Sequence, residues 1–217
     1  MNYKIISTGS KGNAVVINGR LLVDCGVNFK QISEFVPKLQ LVLLTHIHSD
    51  HFYPSTIKRL ARERPTLRFG CCNWLVKPLI NLGVQKWRID VYSPGIQSRY
   101  NNKLKIEAFV LTHNVENCGY KVYIDGERLI YATDTNNLNG ITAPNYDLYM
   151  IEANYEDEEI KKRIQEKEEA GEYAYEKSVL KNHLSKKKCD DFITRNAGIH
   201  SKFIYMHRHE GGEKNEH

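Results

Sequence analysis

The sequence lacks the features of a disulfide-bonded, secreted or membrane-spanning protein. It has five cysteines, an odd number, and none forms a C-x-x-C pair, which argues against a disulfide framework. No apolar run approaches the roughly 20 residues that a transmembrane helix needs, and the N-terminus enters a strand-like pattern with no apolar signal segment. We therefore expect a protein of the reducing cytoplasm that has no membrane partner. The adjacent Cys71 and Cys72 are interpreted as a pair at a strand end.

Low-complexity tracts and internal repeats are also missing, so no feature of the sequence divides the chain. Its 217 residues, of which 41% are hydrophobic and 26% charged, predict one soluble globular domain over residues 1–217. Only residues 210–217, which are polar and led by glycines, resemble a frayed tail.

The charge of the chain is distributed unevenly. Lys and Arg outnumber Asp and Glu over residues 1–113, whereas acidic residues are in excess over residues 156–176. A basic half suits an anionic substrate such as nucleic acid. A solvated basic face without a ligand explains the same pattern, so charge alone leaves both interpretations open.

Short apolar segments alternate with glycine-containing turns through much of the chain. Asn18-Gly19 and Asp125-Gly126 are strong hairpin signals. Strands followed by helices, in each half, predict an α/β protein in which two β-rich halves pack together with helices outside. The predicted strands cover residues 3–7, 14–17, 21–23, 39–44, 67–70, 104–111, 120–124, 128–131, 146–151 and 202–206, and the predicted helices cover residues 28–35, 55–63 and 73–82, a stretch from Glu156, and a segment after Ser185.

The densest cluster of metal-ligand residue types lies directly after the predicted strand over residues 39–44. His46, His48, Asp50 and His51 occur within six positions. Alternate residues of an extended segment point to the same side, so His46 and His48 can reach one ion. The chain then turns, which lets Asp50 and His51 face a second point nearby. Imidazole and carboxylate ligands suit Zn²⁺, and also Mn²⁺ or Fe²⁺.

Three further residues of ligand type follow other predicted strands. His113, Asp134 and His207 each come just past an apolar segment, where loops gather over the edge of a sheet. We therefore predict a two-metal centre in which Asp134 bridges the ions. Two divalent ions ~3.5–4 Å apart can clamp a displacement reaction and activate water at neutral pH. The predicted ligands are His46, His48 and His113 for the first ion and Asp50, His51 and His207 for the second.

His183 lies in a different context, because it precedes a predicted helix. Ser185 is placed to cap that helix, and Lys181 and residues 186–188 are basic neighbours. A histidine in this position suits the oxygen of an anion, where it can stabilise a phosphorus transition state or protonate a leaving group. We assign catalytic roles to His183 and Asp50. A buried histidine of a capping loop would look the same in the sequence.

Together these residues resemble the metallo-β-lactamase superfamily, whose signature is H-x-H-x-D-H followed by distant His, Asp and His. The resemblance extends over almost the whole chain. More closely, the sequence is similar to the YycJ (WalJ) branch, which is related to the RNase Z and PhnP phosphodiesterases, and its brevity suggests a trimmed, phage-borne relative. The segments that carry the resemblance are residues 7–13, 22–26, 45–51, 118–120, 132–135, 151–155 and 183–185.

The resemblance implies an α/β fold, the αββα sandwich in which two mixed β-sheets are flanked by helices. It also implies two Zn²⁺ or Mn²⁺ ions, Asp24 as an anchor behind the metal histidines, and His183 on the substrate phosphate. The sequence departs from the branch at two points. Tyr155 stands where the branch prefers a histidine, and the final motif reads His-Arg-His, so His209 rivals His207 as the last ligand.

The leading hypothesis is a cytoplasmic, metal-dependent hydrolase that cleaves nucleic-acid phosphodiesters, specifically a DNA exonuclease. Two alternatives stay open: a phosphodiesterase for small cyclic nucleotides or cyclic phosphates, and an inactive, metal-stabilised binding module. The segment between Asp134 and His183 is too short for an inserted β-CASP domain. The long Gly/Pro-rich arm of tRNA-processing RNase Z enzymes is missing, as is the signal peptide of a secreted antibiotic lactamase.

Overall fold

The computed structural model describes residues 1–208, and two six-stranded β-sheets form its centre. In the first sheet, the strands follow one another in chain order. The first three strands pair antiparallel, and the pairs from the third to the sixth strand are parallel. The strands are β1 (Tyr3–Ser7), β2 (Ala14–Ile17), β3 (Leu21–Val23), β4 (Leu41–Leu44), β5 (Arg68–Cys72) and β6 (Ile89–Tyr92).

The second sheet repeats this scheme. Its first four strands pair antiparallel and its last three are parallel, again in chain order across the sheet. The strands are β7 (Gln97–Asn101), β8 (Leu104–Leu111), β9 (Asn117–Ile124), β10 (Glu127–Ala132), β11 (Leu148–Glu152) and β12 (Lys202–Met206).

Within residues 1–208, six α-helices connect or follow these strands. No helix within residues 1–208 combines the length and the apolar character needed to cross a membrane. The helices are α1 (Phe29–Ile32), α2 (Pro54–Glu63), α3 (Val76–Asn81), α4 (Asp157–Glu169), α5 (Glu176–Asn182) and α6 (Lys186–Asn196), and 3-10 turns cover Val36–Lys38, Asn73–Leu75 and Lys86–Arg88.

Both sheets are covered on their two faces, which gives four layers. Between the sheets, Val15 and Leu43 of the first belong to one buried cluster with Tyr120 and Met150 of the second. On the outer face of the first sheet, α2 buries Ile57 and its neighbours in a second cluster. On the outer face of the second sheet, α6 packs its apolar side in a third cluster. The structure thus confirms the αββα sandwich.

Two tight turns lie at the end of the sandwich where β2 passes to β3 and β9 passes to β10. Asn18 (φ 47°) and Gly19 (φ 68°) form one, and Asp125 (φ 54°) and Gly126 (φ 89°) form the other. Positive φ at both central residues is what a type I′ hairpin turn requires, as predicted. Asn18 Nδ2 donates to Asp125 Oδ2 at 2.9 Å, and Arg20 Nη2 donates to Asp125 Oδ1 at 2.6 Å. These contacts join the two halves at this end.

Three elements were not predicted from the sequence: β6, β7 and α5. Each of β6 and β7 lies at one edge of its sheet; β6 has four residues, and β7 alternates exposed with half-buried residues. Helix α5 is short and has no side-chain cap. Cys71 and Cys72 end β5, as predicted, and both are buried.

Candidate metal centre

The segment after β4 brings the first group of histidines together. His46 Nε2 lies 3.2 Å from His48 Nδ1, and His113 Nε2 lies 3.4 Å from the same atom. His113 follows β8 of the second sheet, so the group spans both halves. One ligand atom from each of these three residues lies within 4.8 Å of the others, which is close enough to hold one metal ion.

A second group forms beside the first. His51 Nε2 lies 3.6 Å from Asp50 Oδ2, and His207 Nε2 lies 3.7 Å from the same oxygen. His207 follows β12, whereas Asp50 and His51 belong to the segment after β4. The ligand atoms of this group also lie within 4.8 Å of one another. The described chain therefore places His207 with Asp50 and His51, while His209 lies outside the described residues.

Asp134 faces both groups. Its Oδ2 lies 2.9 Å from His51 Nε2, and its Oδ1 lies 3.4 Å from His207 Nε2 and 3.9 Å from His113 Nε2. Asp134 Oδ2 and His207 Nε2 are buried without a well-directed hydrogen bond. Buried polar atoms without partners are costly, and a cation between these groups would satisfy both. The donor set of imidazoles and shared carboxylate thus fits a divalent metal.

The backbone at three of these strand ends is left-handed. Asp24 (φ 58°), Asp134 (φ 58°) and His207 (φ 52°) follow β3, β10 and β12 respectively. Such a conformation is uncommon for residues other than glycine and concentrates at functional sites, where the surrounding contacts hold it in place. Each of these turns ends a strand abruptly and leaves its polar side chain at the sheet edge.

Asp24 anchors residues 45–51, the candidate metal-binding segment, from behind. Its Oδ2 lies 2.7 Å from His51 Nδ1 and accepts a hydrogen bond from Tyr131 OH at 3.1 Å. Its Oδ1 accepts from the Thr45 backbone N at 3.0 Å and from Thr45 Oγ1 at 2.9 Å. A proton held on His51 Nδ1 leaves Nε2 free as a ligand atom. This geometry agrees with the position that the resemblance implies for Asp24.

Other histidines are oriented by neighbouring oxygens. His113 Nδ1 lies 3.1 Å from the backbone oxygen of Asn182, the last residue of α5. His46 Nδ1 lies 3.0 Å from Thr45 Oγ1. Each contact occupies the nitrogen that faces away from the proposed ion, so the opposite ring nitrogen is available to it.

Three buried asparagines support the centre and were not predicted from the sequence. Asn154 Nδ2 donates to His207 O at 2.9 Å, and Asn117 Nδ2 donates to Asp134 O at 2.7 Å. Asn13 Nδ2 lies 2.8 Å from His51 Nε2. Asn13 and Asn154 lie in segments that the resemblance singled out, whereas the sequence gives no signal for Asn117.

A close approach of backbones explains one of the glycines. A Cβ on Gly26 would lie 1.7 Å from Asp50 O, a distance that no side chain can occupy. The Cys25 backbone N donates to His51 O at 2.9 Å, so the chain after β3 runs beside the candidate metal-binding segment at this point. Gly26 therefore lets the chain after β3 press against the ligands.

His183 lies at the junction of both groups. Its Nδ1 lies 2.7 Å from Glu152 Oε1 and 3.7 Å from Asp134 Oδ1. Its ring centroid is 5.6 Å from that of His113 and 5.2 Å from that of His207. His183 precedes α6 as predicted, and it also ends the unpredicted α5.

Glu152 lies in a segment that carries the family resemblance, but no role was predicted for it. It ends β11, is fully buried, and accepts a hydrogen bond at Oε2 from the Thr135 backbone N at 2.8 Å. Burial raises the pKa of its carboxyl group. The rule that found His113 and Asp134, a polar residue just past an apolar strand, would also have found Glu152.

Burial and neighbouring charges shift the pKa values of the residues in this centre. Burial disfavours charge on His51 and His207, but Asp134 outweighs it, raising the pKa of His51 well above its usual value and that of His207 to about 9. Burial also works against ionised Asp134, yet the charges of these histidines hold its pKa well below its usual value. Burial lowers the pKa of His46. Without metal, protonated His51 and His207 therefore balance the carboxylates.

The remaining basic candidates are held by other contacts. Lys186 Nζ lies 3.2 Å from Asp190 Oδ2, and Lys188 Nζ donates to Asn136 O at 3.0 Å. Lys181 contributes its backbone oxygen, which accepts from Asn136 Nδ2 at 2.7 Å. Ser185 caps α6 by accepting from the Lys188 backbone N, as predicted. Tyr155 pairs with Ser185 in an isolated bridge.

With this geometry in place, comparison with known proteins identifies the family. The family described as "Beta-lactamase superfamily domain" matches residues 19–179. The match covers more than half of the chain, and this protein belongs to that superfamily, whose members are typically metal-dependent hydrolases. No curated protein matches the sequence.

Several solved structures share the fold. The metallo-beta-lactamase fold protein YhfI from Bacillus subtilis has a TM-score of 0.72 and 17% identity, covering 97% of this chain and 87% of that one. The short form of human tRNase Z has a TM-score of 0.68 and 15% identity, covering 96% and 92%. Zn²⁺-bound PqqB from Methylobacterium extorquens has a TM-score of 0.61 and 12% identity, covering 96% and 89%. At these identities the likeness shows the fold alone.

Proposed function

We propose that this chain is a two-metal phosphodiesterase that hydrolyses nucleic acid. The observation that carries the proposal is the contact of His183 Nδ1 with Glu152 Oε1 at 2.7 Å, beside the shared Asp134. The leaving oxygen of a phosphodiester needs a proton, and an imidazole held by a buried carboxylate can supply one. His183 also lies with Asp134, Glu152 and His207 in a group whose ligand atoms are close enough to hold an ion. The proposal assigns His183 to proton transfer because the other two groups, which contain His48 and Asp50, already supply three ligands for each ion.

The ligands in this proposal are those predicted from the sequence. Two divalent ions, Zn²⁺ or Mn²⁺, would activate water and neutralise the charge of the phosphate when bound. Asp24 keeps the proton of His51 on Nδ1, and the Asn182 carbonyl does the same for His113. The proposed ligands are His46, His48 and His113 for one ion, Asp50, His51 and His207 for the other, and Asp134 for both.

His183 handles the proton of the leaving group. Its Nδ1–H donates to Glu152, so Nε2–H is the group that faces the substrate. Transfer of the Nε2 proton to the leaving oxygen returns the ring to its neutral form, and Glu152 stabilises the protonated ring before transfer. Asp50 is the proposed second catalytic residue, since its Oδ2 lies within 4 Å of both His51 and His207.

The substrate class is supported by three observations. The first half of the chain is basic, the fold is shared with the short form of human tRNase Z and with a long form of RNase Z from yeast, and the motifs resemble the YycJ-like branch. The specific activity proposed is that of a DNA exonuclease in the cytoplasm.

A substrate screen tests this proposal. Purified protein with Zn²⁺ or Mn²⁺ is incubated with end-labelled single- and double-stranded DNA, with RNA, and with cyclic mononucleotides. We expect stepwise shortening of DNA. Turnover of cyclic nucleotides alone would show that the substrate is a small phosphodiester and not a polymer. No turnover of any of these substrates would refute phosphodiesterase activity.

Asp134→Asn is the matched active-site variant. It keeps the shape of the side chain but removes the charge that both groups share, so we expect loss of hydrolysis with an unchanged circular dichroism spectrum. Asp125→Asn, the same substitution at the opposite end of the sandwich, is the control and should retain activity. Full activity in Asp134→Asn would contradict the bridging role.

A further inference from the structure

A further group of candidate ligands lies beside the two groups that contain His48 and Asp50. One ligand atom from each member lies within 4.8 Å of the others. We call this set the alternative group, and its members are Asp134, Glu152, His183 and His207. Asp134 and His207 are also proposed ligands of the second ion, whereas Glu152 and His183 are not. The two shared side chains therefore face two different pairs of partners.

The ligand atoms of the alternative group are spaced as closely as one ion requires. His183 Nδ1 lies 2.7 Å from Glu152 Oε1 and 3.7 Å from Asp134 Oδ1. His207 Nε2 lies 3.4 Å from the same Asp134 oxygen. Nitrogen and oxygen ligands lie ~2.0–2.2 Å from Zn²⁺, so two ligands of one ion are at most about 4.4 Å apart. Each of the three distances is shorter than this limit.

Glu152 presents one fixed oxygen to the alternative group. Its Oε2 accepts from the Thr135 backbone N at 2.8 Å, which holds the carboxylate and leaves Oε1 facing His183. Glu152 is fully buried, and a buried carboxylate needs hydrogen-bond donors or a cation. His183 meets this need as a donor, and a divalent ion bound by both side chains would meet it as a cation. Because His183 is half-buried, the group is open to solvent on its side.

His207 has one ring nitrogen that faces the centre. Its Nδ1 lies 3.0 Å from Asn154 Nδ2, so that nitrogen is already in contact with the amide. Its Nε2 is buried without a well-directed hydrogen bond. Since one ring nitrogen binds one ion, His207 can serve the second ion beside Asp50 or an ion in the alternative group, but not both at once.

The two positions offer an ion the same kinds of donor. With the shared Asp134 and His207, Asp50 and His51 make a set of two carboxylates and two imidazoles. Glu152 and His183 make an equal set with the same two shared residues. Donor type determines which divalent ions a site accepts. An ion that fits one position therefore also fits the other.

We propose that the alternative group is a second, non-catalytic position for the ion that Asp50 and His51 are proposed to bind. This inference rests on the proposed function, because it concerns an ion of the two-metal centre. An ion in the alternative group would bind the nitrogen of His183 that contacts Glu152. Glu152 could then no longer support proton transfer by His183, so the ion must return to Asp50 and His51 before turnover.

Metal stoichiometry tests this position without any need for hydrolysis. Wild type, Asp50→Ala and the double variant Asp50→Ala/Glu152→Gln are dialysed against a series of Zn²⁺ concentrations, bound zinc is measured by atomic absorption, and circular dichroism reports folding. The wild type should bind two ions per chain. Asp50→Ala should also bind two, the second in the alternative group, whereas the double variant should bind one. Asp50→Asn, which keeps the shape of the side chain, replaces Asp50→Ala if that variant does not fold.

Asp50→Ala/Glu34→Gln is the matched control. Glu34 is exposed and belongs to none of the groups whose ligand atoms could hold an ion. Loss of the same carboxylate charge at this position should leave two ions bound. Two ions in the double variant with Glu152→Gln, or loss of an ion in the control, would overturn the alternative position.

Coordination of His183 is a direct readout of the same position. The Asp50→Ala chain, labelled with ¹⁵N at its histidines, is loaded with ¹¹³Cd²⁺ as the probe, and nitrogen NMR spectra are recorded. A bond to the ion should split the signal of His183 Nδ1, which is assigned by its disappearance in His183→Gln. If the chain binds two ions and this signal is not split, the second ion lies elsewhere and the proposal is wrong.

The outcomes separate this inference from the proposed function. A wild type that binds two ions and hydrolyses phosphodiesters, with one ion in Asp50→Ala, would reject the alternative position and keep the phosphodiesterase. Two ions in Asp50→Ala with His183 coordinated, but no hydrolysis by the wild type, would reject the phosphodiesterase and keep the metal position.

Discussion

Replacing Asp24 with asparagine changes little more than one atom, yet we expect it to weaken metal binding strongly. Each carboxylate oxygen of Asp24 has two hydrogen-bond partners. Oδ2 contacts His51 Nδ1 and Tyr131 OH, and Oδ1 accepts from the backbone N and Oγ1 of Thr45. An amide nitrogen in either position would meet donors instead of accepting from them. Since Asp24 is fully buried, water cannot replace the lost contacts.

The orientation of lower energy places the amide nitrogen toward His51. The imidazole can move its proton to the other ring nitrogen and then accept a hydrogen bond, whereas the Thr45 backbone N–H can only donate. His51 would then accept at Nδ1 and carry its proton on Nε2, the atom that is 2.9 Å from Asp134 Oδ2. That proton blocks the ligand atom. Loss of such an orienting contact costs about 10- to 100-fold in metal affinity, or about 1.4–2.7 kcal/mol.

The assay is competition for Zn²⁺ against a chelator of known affinity, at fixed pH, for the wild type, Asp24→Asn and the control Asp125→Asn. The control removes an exposed ion pair with Arg20, which is worth about 0–1 kcal/mol at most, and should leave metal affinity unchanged. Unfolding by urea is measured in parallel without metal. If Asp24→Asn lowers the free energy of unfolding but leaves Zn²⁺ affinity at the wild-type value, the tautomer argument is wrong.

Three other predictions follow from the same contacts. Because His51 and His207 have raised pKa values in the metal-free protein, their protonation stabilises it fully below about pH 6.5. This stabilisation is lost as the pH rises through the two raised pKa values, of which that of His207 is about 9. Metal binding near pH 7 should therefore release about two protons. Calorimetry in buffers of different ionisation enthalpy measures this number. Release of no protons would contradict the proposal that His51 and His207 are metal ligands. Glu152→Gln should reduce turnover by about 100-fold for a substrate with an alkoxide leaving group. The loss should be much smaller for a p-nitrophenyl ester, because p-nitrophenolate leaves without a proton. Equal losses for both substrates would contradict the role in proton transfer. Gly26→Ala should lower the free energy of unfolding by about 1–3 kcal/mol or more, because the added methyl group would lie 1.7 Å from Asp50 O. Urea unfolding measures this loss. A midpoint equal to that of the wild type would show that the backbone can shift at this position.

The sequence predicted the site best where a polar residue follows an apolar strand. Parallel strands end at one edge of a sheet, so His113 and Asp134 could be expected to meet although neither is near the other in the chain. Glu152 fits the same rule but was not chosen, since one carboxylate at a strand end has no local partner that indicates a role. Asn117 could not be predicted, because its function is to hold the Asp134 backbone, a contact made only in three dimensions.

The strands and turns of the fold were predictable where their own residues specify them, and not where they depend on contacts with distant parts of the chain. Buried strands such as β4 and turns such as Asn18-Gly19 are specified by their own residues. Strands β6 and β7 are not, because β6 has only four residues with a charged Asp90 inside it, and β7 consists of polar residues apart from Tyr100. Helix α5 is defined by its packing with α4 and by its end at Asn182, and a short helix of this kind has little local signal.

The division of the candidate ligands between the two sheets has a consequence for folding. The segment after β4 supplies four of the seven predicted ligands, and the second sheet supplies His113, Asp134 and His207. Neither half alone can offer a complete set for either ion, so metal affinity is linked thermodynamically to the docking of the halves. At a free metal concentration 1,000 times the Kd, one such ion would stabilise the docked state by about 4.1 kcal/mol. Removal of metal would then weaken the interface between the sheets at the edge that carries the candidate ligands.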